Sequence, residues 1–193
     1  MPTTLRSLAF AGLGLLATLP PALAQISSPA QSVPPPASER VELTELQQVQ
    51  KLMAAGQMKQ ALARADALLE KNPRDAQMRF VRGVILSELK DGAGARQVFE
   101  RLTEEFPELP EPYNNLAVLY ASEGELDRAR TLLETALTVR PDYATAHENL
   151  GDIYLQMSVD AYQRASKLQP GSRTASSKLA LTRELLARTR VAP

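Results

Sequence analysis

The chain has 193 residues, 44% of them apolar and 23% charged, so it can bury the core of one ordinary domain or of a short repeat array. Lysine plus arginine and aspartate plus glutamate balance at 22 each, which argues against a nucleic-acid partner, because phosphate binding leaves a net basic imprint. The absence of cysteine excludes disulfides, thiolate metal sites and thiol nucleophiles.

The first segment, MPTTLRSLAFAGLGLLATLPPALAQ, carries Arg6 as the single charge ahead of Glu39. Its apolar run from Leu8 to Leu19 has the length of a signal-peptide hydrophobic region and is too short for an ordinary membrane span. Pro20 and Pro21 break the helix, and Ala22-Leu23-Ala24 supplies a small-x-small site. Residues 1–24 are therefore expected to be a signal peptide cut after Ala24, with an uncleaved anchor as the alternative. No cysteine follows the site, which excludes a lipoprotein anchor. Without Arg6 the 22 basic residues become 21 against 22 acidic ones, so the expected product is a nearly neutral periplasmic protein with no stable membrane span.

Residues 25–38, QISSPAQSVPPPAS, hold four prolines and almost no large apolar side chain. Such a segment cannot bury enough surface to offset its ordering entropy and reads as an extended linker. The PPP run also admits a polyproline-ligand reading, but a spacer is the commoner explanation of such a run, and the segment is read as a linker.

From Glu39 onward no run alternates with period two, and apolar residues recur at three and four, which is the helical spacing. Pro73, Pro107, Pro110, Pro112, Pro141, Pro170 and Pro193 fall where helices stop or start. Three of them, Pro73, Pro107 and Pro141, are spaced by 34 residues. A fixed period of that size marks a helical hairpin that cannot bury its own face and must stack on copies of itself.

The copy at 110–143 carries Tyr113, Leu116, Ala117, Tyr120, Gly124, Ala129, Leu133, Ala136 and Pro141. That at 76–109 carries Arg79, Gly83, Leu86, Ala95, Phe99 and Pro107, with Arg82 where leucine is usual. A degenerate copy at 42–75 keeps Leu52, Gly56, Ala61, Ala65 and Pro73, and in all three an alanine precedes the proline by twelve residues. On these residues the chain resembles the tetratricopeptide repeat family, whose pattern is W-x2-L-G-x2-Y, then A-x3-F, then P. The small residues at 83, 117 and 151, and again at 61, 95 and 129, are expected to let paired helices approach closely. Phe99, Tyr113, Tyr120 and Leu133 fill the space around them, and Gly56, Gly92 and Gly124 are expected to relieve the turns through positive φ.

A fourth copy begins well, with Leu150, Gly151 and Tyr154, and AYQRASKLQP at 161–170 resembles the end of a second helix. Leu116 to Ala136 spans 20 residues, whereas Leu150 to Ala165 spans 15, so the five residues of the hinge are missing. Leu150, Ile153, Tyr154, Met157, Ala161, Tyr162, Ala165 and Leu168 keep one stripe, which predicts a single helix of about 25 residues from near Tyr143 to Leu168. The alternative is a tight turn near Ser158-Val159-Asp160. After Pro170-Gly171, a Ser172 cap opens a last helix to about Arg188, with Leu179, Leu181, Leu185 and Leu186 on its apolar side and a polar, basic outer face. That helix reads as a cap on the stack, or alternatively as a dimerisation helix.

The expected fold is thus an all-α solenoid of tetratricopeptide hairpins occupying 39–193, with repeats 42–75, 76–109, 110–143, a truncated 144–172 and a capping helix at 172–189.

Catalytic patterns are missing. His147 is the one histidine, Gly151 stands where a zinc-protease helix needs its second histidine, and His147 occupies the repeat's large-residue position, which favours packing. There is no G-x-S-x-G elbow and no Gly-rich phosphate loop, and Glu104-Glu105 reads as a solvated face. No enzyme activity, cofactor or metal is expected.

The resemblance implies instead a groove formed by the first helices of successive hairpins, lined by the second, fifth, ninth, twelfth and thirteenth residues of each repeat. Carried onto this chain, the first repeat contributes Leu46, Gln50 and Met53, and the second Gln77, Phe80, Val84 and Ser87. The third contributes Glu111, Asn114, Val118 and Ser122, and the truncated one Glu148, Asp152 and Gln156. The lining is apolar at one end and acidic at the other, which suits a protein or peptide of the cell envelope with an apolar anchor and a basic or amide-rich flank. Asn115 and Asn149 resemble the asparagines of the family's carboxylate-binding members, but Glu148 and Asp152 stand where basic partners would be needed, so both read as consensus residues bonding neighbouring backbone. A homodimer through the long and C-terminal helices is the second functional reading.

Overall fold

The computed structural model describes residues 43–189, and the expected signal peptide and linker lie outside them. Eight helices follow one another: α1 (Glu45–Ala54), α2 (Met58–Lys71), α3 (Ala76–Glu88), α4 (Gly92–Glu105), α5 (Pro110–Ser122), α6 (Leu126–Val139), α7 (Ala144–Leu168) and α8 (Arg173–Thr189). There is no strand among the described residues. Each helix packs on its neighbours in sequence, and α5 also reaches α7, so the architecture is a stack of antiparallel hairpins.

The turns inside the three hairpins are built alike. Gln57, Asp91 and Glu125 each donate a backbone N–H to the carbonyl of Leu52, Leu86 and Tyr120, all at 2.9 Å and all 34 residues apart. The residue just before each donor is left-handed: Gly56 at φ 71°, Lys90 at 66° and Gly124 at 85°. This is the glycine-favoured helix ending in which a positive φ lets the chain turn back on its last carbonyls. The middle turn corrects the expectation for Gly92, which is the first residue of α4. A lysine, Lys90, takes the strained position there.

Turns between hairpins repeat as well. Asn72, Phe106 and Arg140 donate to the carbonyls of Leu68, Leu102 and Ala136 at 2.9–3.0 Å, and the proline after each cannot continue the helix. Starts are set by side chains: Thr44 and Gln47 form a reciprocal capping box, and Asp75 and Asp91 accept the N–H of Met78 and Gly94 at 2.9 Å. Pro110 opens α5, where a missing N–H removes nothing the helix would use.

The core runs through the stack. Ala61, Ala95 and Ala129 are wholly buried, as are Phe99 and Leu133 beside them. A Cβ added to Gly83 would lie 2.6 Å from Phe99 Cε1, so glycine is what permits α4 to close on α3. Gly151 departs from that expectation. It is exposed, and a Cβ added there would meet nothing within 4 Å, because no second arm folds back across it.

The long helix expected between Tyr143 and Leu168 is present as the 25-residue α7, and no turn forms at Ser158. Ser158 sits within the helix and donates its hydroxyl to the Tyr154 carbonyl at 2.7 Å. The exit from α7 copies a hairpin's end at an offset of 29 instead of 34: Gln169 donates to Ala165 at 3.0 Å, and Pro170 follows. Tyr120 and Leu126 are separated by five residues, whereas their counterparts Tyr154 and Leu155 are adjacent. The deletion therefore falls between those two residues, and removing a whole hinge fuses both arms into one rod.

Ser172 accepts the Ala175 N–H at 3.3 Å and starts α8. That helix lies antiparallel to the second half of α7, with Arg183 donating to Gln163 at 3.0 Å and Lys178 set 5.6 Å from the Tyr162 ring. The expected leucine stripe splits. Leu179 and Leu186 are half-buried, while Leu181 and Leu185 face solvent, because the packing of α8 is essentially against one helix, α7.

Candidate peptide-binding face

Every residue assigned to the groove lies on α1, α3, α5 or α7, the first helix of a hairpin or of the fused unit. Gln77, Ser122 and Glu148 are exposed. Leu46, Gln50, Met53, Phe80, Glu111, Asp152 and Gln156 are half-buried, and Val84, Ser87, Asn114 and Val118 are buried.

The apolar members are anchored from below. Phe80 lies with its ring centroid 5.8 Å from that of Phe99, tilted by 50°, so the core residue that needs Gly83 also steadies the surface ring. Met53 packs against both parts of the core, and Leu46 against the part built by α1, α2 and α3. The hydroxyls are internally used: Ser87 donates to the Gly83 carbonyl at 3.2 Å and Ser122 to that of Leu119 at 2.6 Å.

At the other end the acidic side chains differ in their neighbours. Glu111 pairs with Arg140 at 2.8 Å, and Arg140 lies 4.0 Å over the Tyr143 ring. Burial, and after it Glu111, pushes the Tyr143 hydroxyl up to about 12, against a smaller opposing pull from Arg140. Asp152 has its carboxyl raised above the ordinary aspartate value, first by burial and then by Glu148. A half-buried carboxylate beside a second one is a place that gains from a cation.

Between the two ends lies a buried amide ladder. Asn149 donates from Nδ2 to Asn114 Oδ1 at 2.8 Å, joining α7 to α5, and Asn114 Nδ2 approaches Asn115 Oδ1 at 3.4 Å. Reading Asn115 and Asn149 one by one missed this link, since their partner is another repeat's side chain. Asparagine at 114, 115 and 149 in the 34-residue frame was the available signal.

Two other expectations change. His147 is exposed, and its Nε2 lies 2.8 Å from the Pro141 carbonyl, so it braces the turn and does not fill a helix interface. Glu105 is not simply solvated: Arg79 donates to both its oxygens at 2.7 and 2.8 Å, and this pairing holds the carboxyl below its usual range. Sequence reading also missed the cluster around Tyr120, whose ring lies under Arg96 and Arg128 at 5.1 and 4.4 Å and whose hydroxyl donates to Glu100 at 3.1 Å. No group of three or more His, Asp or Glu side chains among the described residues is placed to hold a metal ion, and no described helix is long and apolar enough to cross a membrane.

Stacked hairpins with a common turn, a common proline exit and a shared core define an all-α helical-repeat scaffold, the class of fold that presents surfaces to other proteins. The models of the tetratricopeptide repeat and of the TPR repeat match residues 46–110 and 119–158, which together cover more than half of the chain. The chain belongs to the tetratricopeptide repeat family, whose repeats are generally non-catalytic binding modules.

Among curated relatives, it is similar to the chloroplastic tetratricopeptide repeat domain-containing protein PYG7 of Arabidopsis thaliana, at 29% identity over 85 residues. That match takes in 42% of this chain and 28% of the relative, so the chain spans under a third of that protein's length. Among solved structures, TTC0263, a thermophilic TPR protein of Thermus thermophilus, superposes with a TM-score of 0.56 at 22% identity, covering 76% of this chain and 82% of that one. The first TPR of Spaghetti (RPAP3), bound to the HSP90 peptide SRMEEVD, superposes with a TM-score of 0.53 at 16% identity, covering 57% and 87%. These likenesses show the fold.

Proposed function

We propose that the chain is an exported, non-catalytic adaptor of the cell envelope that holds a protein or peptide segment on the face made by α1, α3, α5 and α7. The observation carrying this reading is the polarity of that face. Half-buried Met53 and Phe80 lie on the early helices, whereas exposed Glu148 and proton-avid Asp152 lie on α7. An apolar anchor seats on the first pair, and a lysine- or arginine-containing flank relieves the carboxylate crowding on the second. The peptide seen on the first TPR of Spaghetti (RPAP3), SRMEEVD, supports peptide capture by this fold. Its acidic end does not suit the acidic end here, so a ligand of opposite charge is the proposal. Periplasmic location rests on the N-terminal segment, with Arg6, the Leu8 to Leu19 run and Ala22-Leu23-Ala24.

Probing an array of short peptides with the purified chain tests the face. Apolar-plus-basic peptides are expected to be retained, Phe80→Glu to weaken all of them, and Glu148→Lys to weaken the basic ones selectively. Equal retention of acidic and basic peptides overturns the reading. The location is tested by mass spectrometry of an osmotic-shock fraction, where a mature chain starting at Gln25 is expected and an intact N-terminus overturns it.

A further inference from the structure

We infer that two copies of the chain pair through α7 as antiparallel helices, each copy supplying the second arm that the other's fourth repeat lacks. The proposal does not rest on the peptide-binding reading. In each complete hairpin a second helix covers the first; in the second hairpin α4 brings Phe99 up against Gly83. The corresponding face of α7 is bare. His147, Gly151 and Tyr154 form an exposed stripe there, Tyr154 at 47% exposure with its hydroxyl donating to Glu134 at 3.4 Å, and open space lies over Gly151.

The arm that belongs on this face exists but cannot reach it. Residues 155–170 carry the marks of a second helix: Leu155 and Ala165 match Leu126 and Ala136, and the Gln169 to Ala165 hydrogen bond with Pro170 after it matches the Arg140 to Ala136 bond with Pro141. With no hinge between Tyr154 and Leu155, that arm continues straight on from the first, and a rigid helix cannot fold onto itself. Its side turned away from α8 is left exposed at Ala161, Ala165 and Leu168, the last at 87%, of which Ala165 matches the inward Ala136, and α8 beside it shows Leu181 and Leu185 at 66% and 52%. Shortening a hinge until a hairpin cannot close is a known route to exchange of the arm between copies.

The stripe is its own complement. His147, Gly151, Tyr154, Ser158, Ala161, Ala165 and Leu168 step alternately by four and three, the spacing of a helix–helix seam. Reversed about Ser158, Gly151 falls level with Ala165, and along the stripe Tyr154 comes against Ala161 and His147 against Leu168, each one residue off level, so every large side chain of the stripe but the last pair's faces a small one. An interface of this kind is isologous and closes at two copies.

Light scattering on the purified chain, as the cell processes it, is expected to give twice the chain mass. Tyr154→Glu and Ala165→Glu, both at exposed sites, are each expected to return it to the single mass with helical circular dichroism unchanged. Inserting Ala-Ser-Glu-Gly-Glu, copied from residues 121–125, between Tyr154 and Leu155 restores the hinge and is expected to give a monomer as well. Since the native chain has no cysteine, single cysteines map the sense cleanly. A short bismaleimide is expected to link Ser158→Cys copies to each other and not to link Leu168→Cys copies. A single-mass native chain at every concentration, pairing that survives both Tyr154→Glu and the hinge insertion, or equal linking at Ser158 and Leu168 overturns the inference.

Discussion

Asn149 reaches across from α7 and gives an amide proton to Asn114 Oδ1 at 2.8 Å, with both side chains almost wholly buried. The bond ties the truncated unit to the last complete hairpin. Removing Asn114 takes this acceptor from a buried donor, so Asn114→Ala is expected to cost about 1–3 kcal/mol in urea unfolding. Asn149→Ala is expected to cost a similar amount. The double variant is expected to cost clearly less than the two combined, since each single change already breaks the same bond. Strict additivity would show that the amides are not coupled.

Lys90 stands where both neighbouring hairpins use glycine, and its φ of 66° is expensive for a side chain with a Cβ. Lys90→Gly is expected to stabilise by about 0.5–1 kcal/mol after allowing for the looser unfolded chain. Gly56→Ala and Gly124→Ala are expected to destabilise by about 1 kcal/mol each. Thermal melts of the three variants, compared at one protein concentration, check the signs. A destabilised Lys90→Gly would mean that the lysine side chain contributes more than its backbone loses.

Gly83 and Gly151 share a repeat position but not an environment. Gly83→Ala forces a methyl towards Phe99, 2.6 Å from Cε1, and is expected to cost about 1–3 kcal/mol by overpacking. Gly151→Ala meets nothing in its own chain and is expected to gain about 0.5–1 kcal/mol from helix propensity. Chemical denaturation separates the two, and equal effects would contradict the bare face described for α7.

The Tyr143 hydroxyl titrates near 12 in the folded chain, against an ordinary value of 10.0. The raised value means that the native state holds this proton more tightly than the unfolded state. Its contribution to stability is therefore complete below pH 10 and fades as the pH climbs towards 12. Urea midpoints measured across that window are expected to fall less steeply in Tyr143→Phe than in the native chain. Identical slopes would place the alkaline loss in other groups.

The parts of this fold that were legible in the sequence are those written in spacing. Three prolines in register, three alanines twelve residues ahead of them and a continuous stripe through Tyr154 and Ala161 sufficed for the hairpins and for the fused helix, because period and punctuation are local properties of the chain. What stayed hidden depends on what a side chain meets. Gly92 attracts attention as a glycine, yet the turn places its left-handed residue two positions earlier, on Lys90. His147 occupies a packing position, but the arm it would pack against is elsewhere, so it bonds Pro141 instead. The groove positions follow from family spacing alone, and nothing in that spacing distinguishes buried Val84 and Asn114 from exposed Gln77 and Glu148.

The fused helix also limits how this architecture can lengthen. Solenoids grow when a 34-residue unit is duplicated and the new copy finds a finished hairpin to rest on. Here the last surface offered is a straight rod of about 37 Å, already engaged along its far half by α8. A unit added after residue 189 would find no hairpin face of the right shape beneath it, whereas one inserted before Pro110 would meet matching neighbours on both sides. Repeats gained by duplication are thus expected to settle in the interior or at the opposite end, where finished hairpins supply the surface they need.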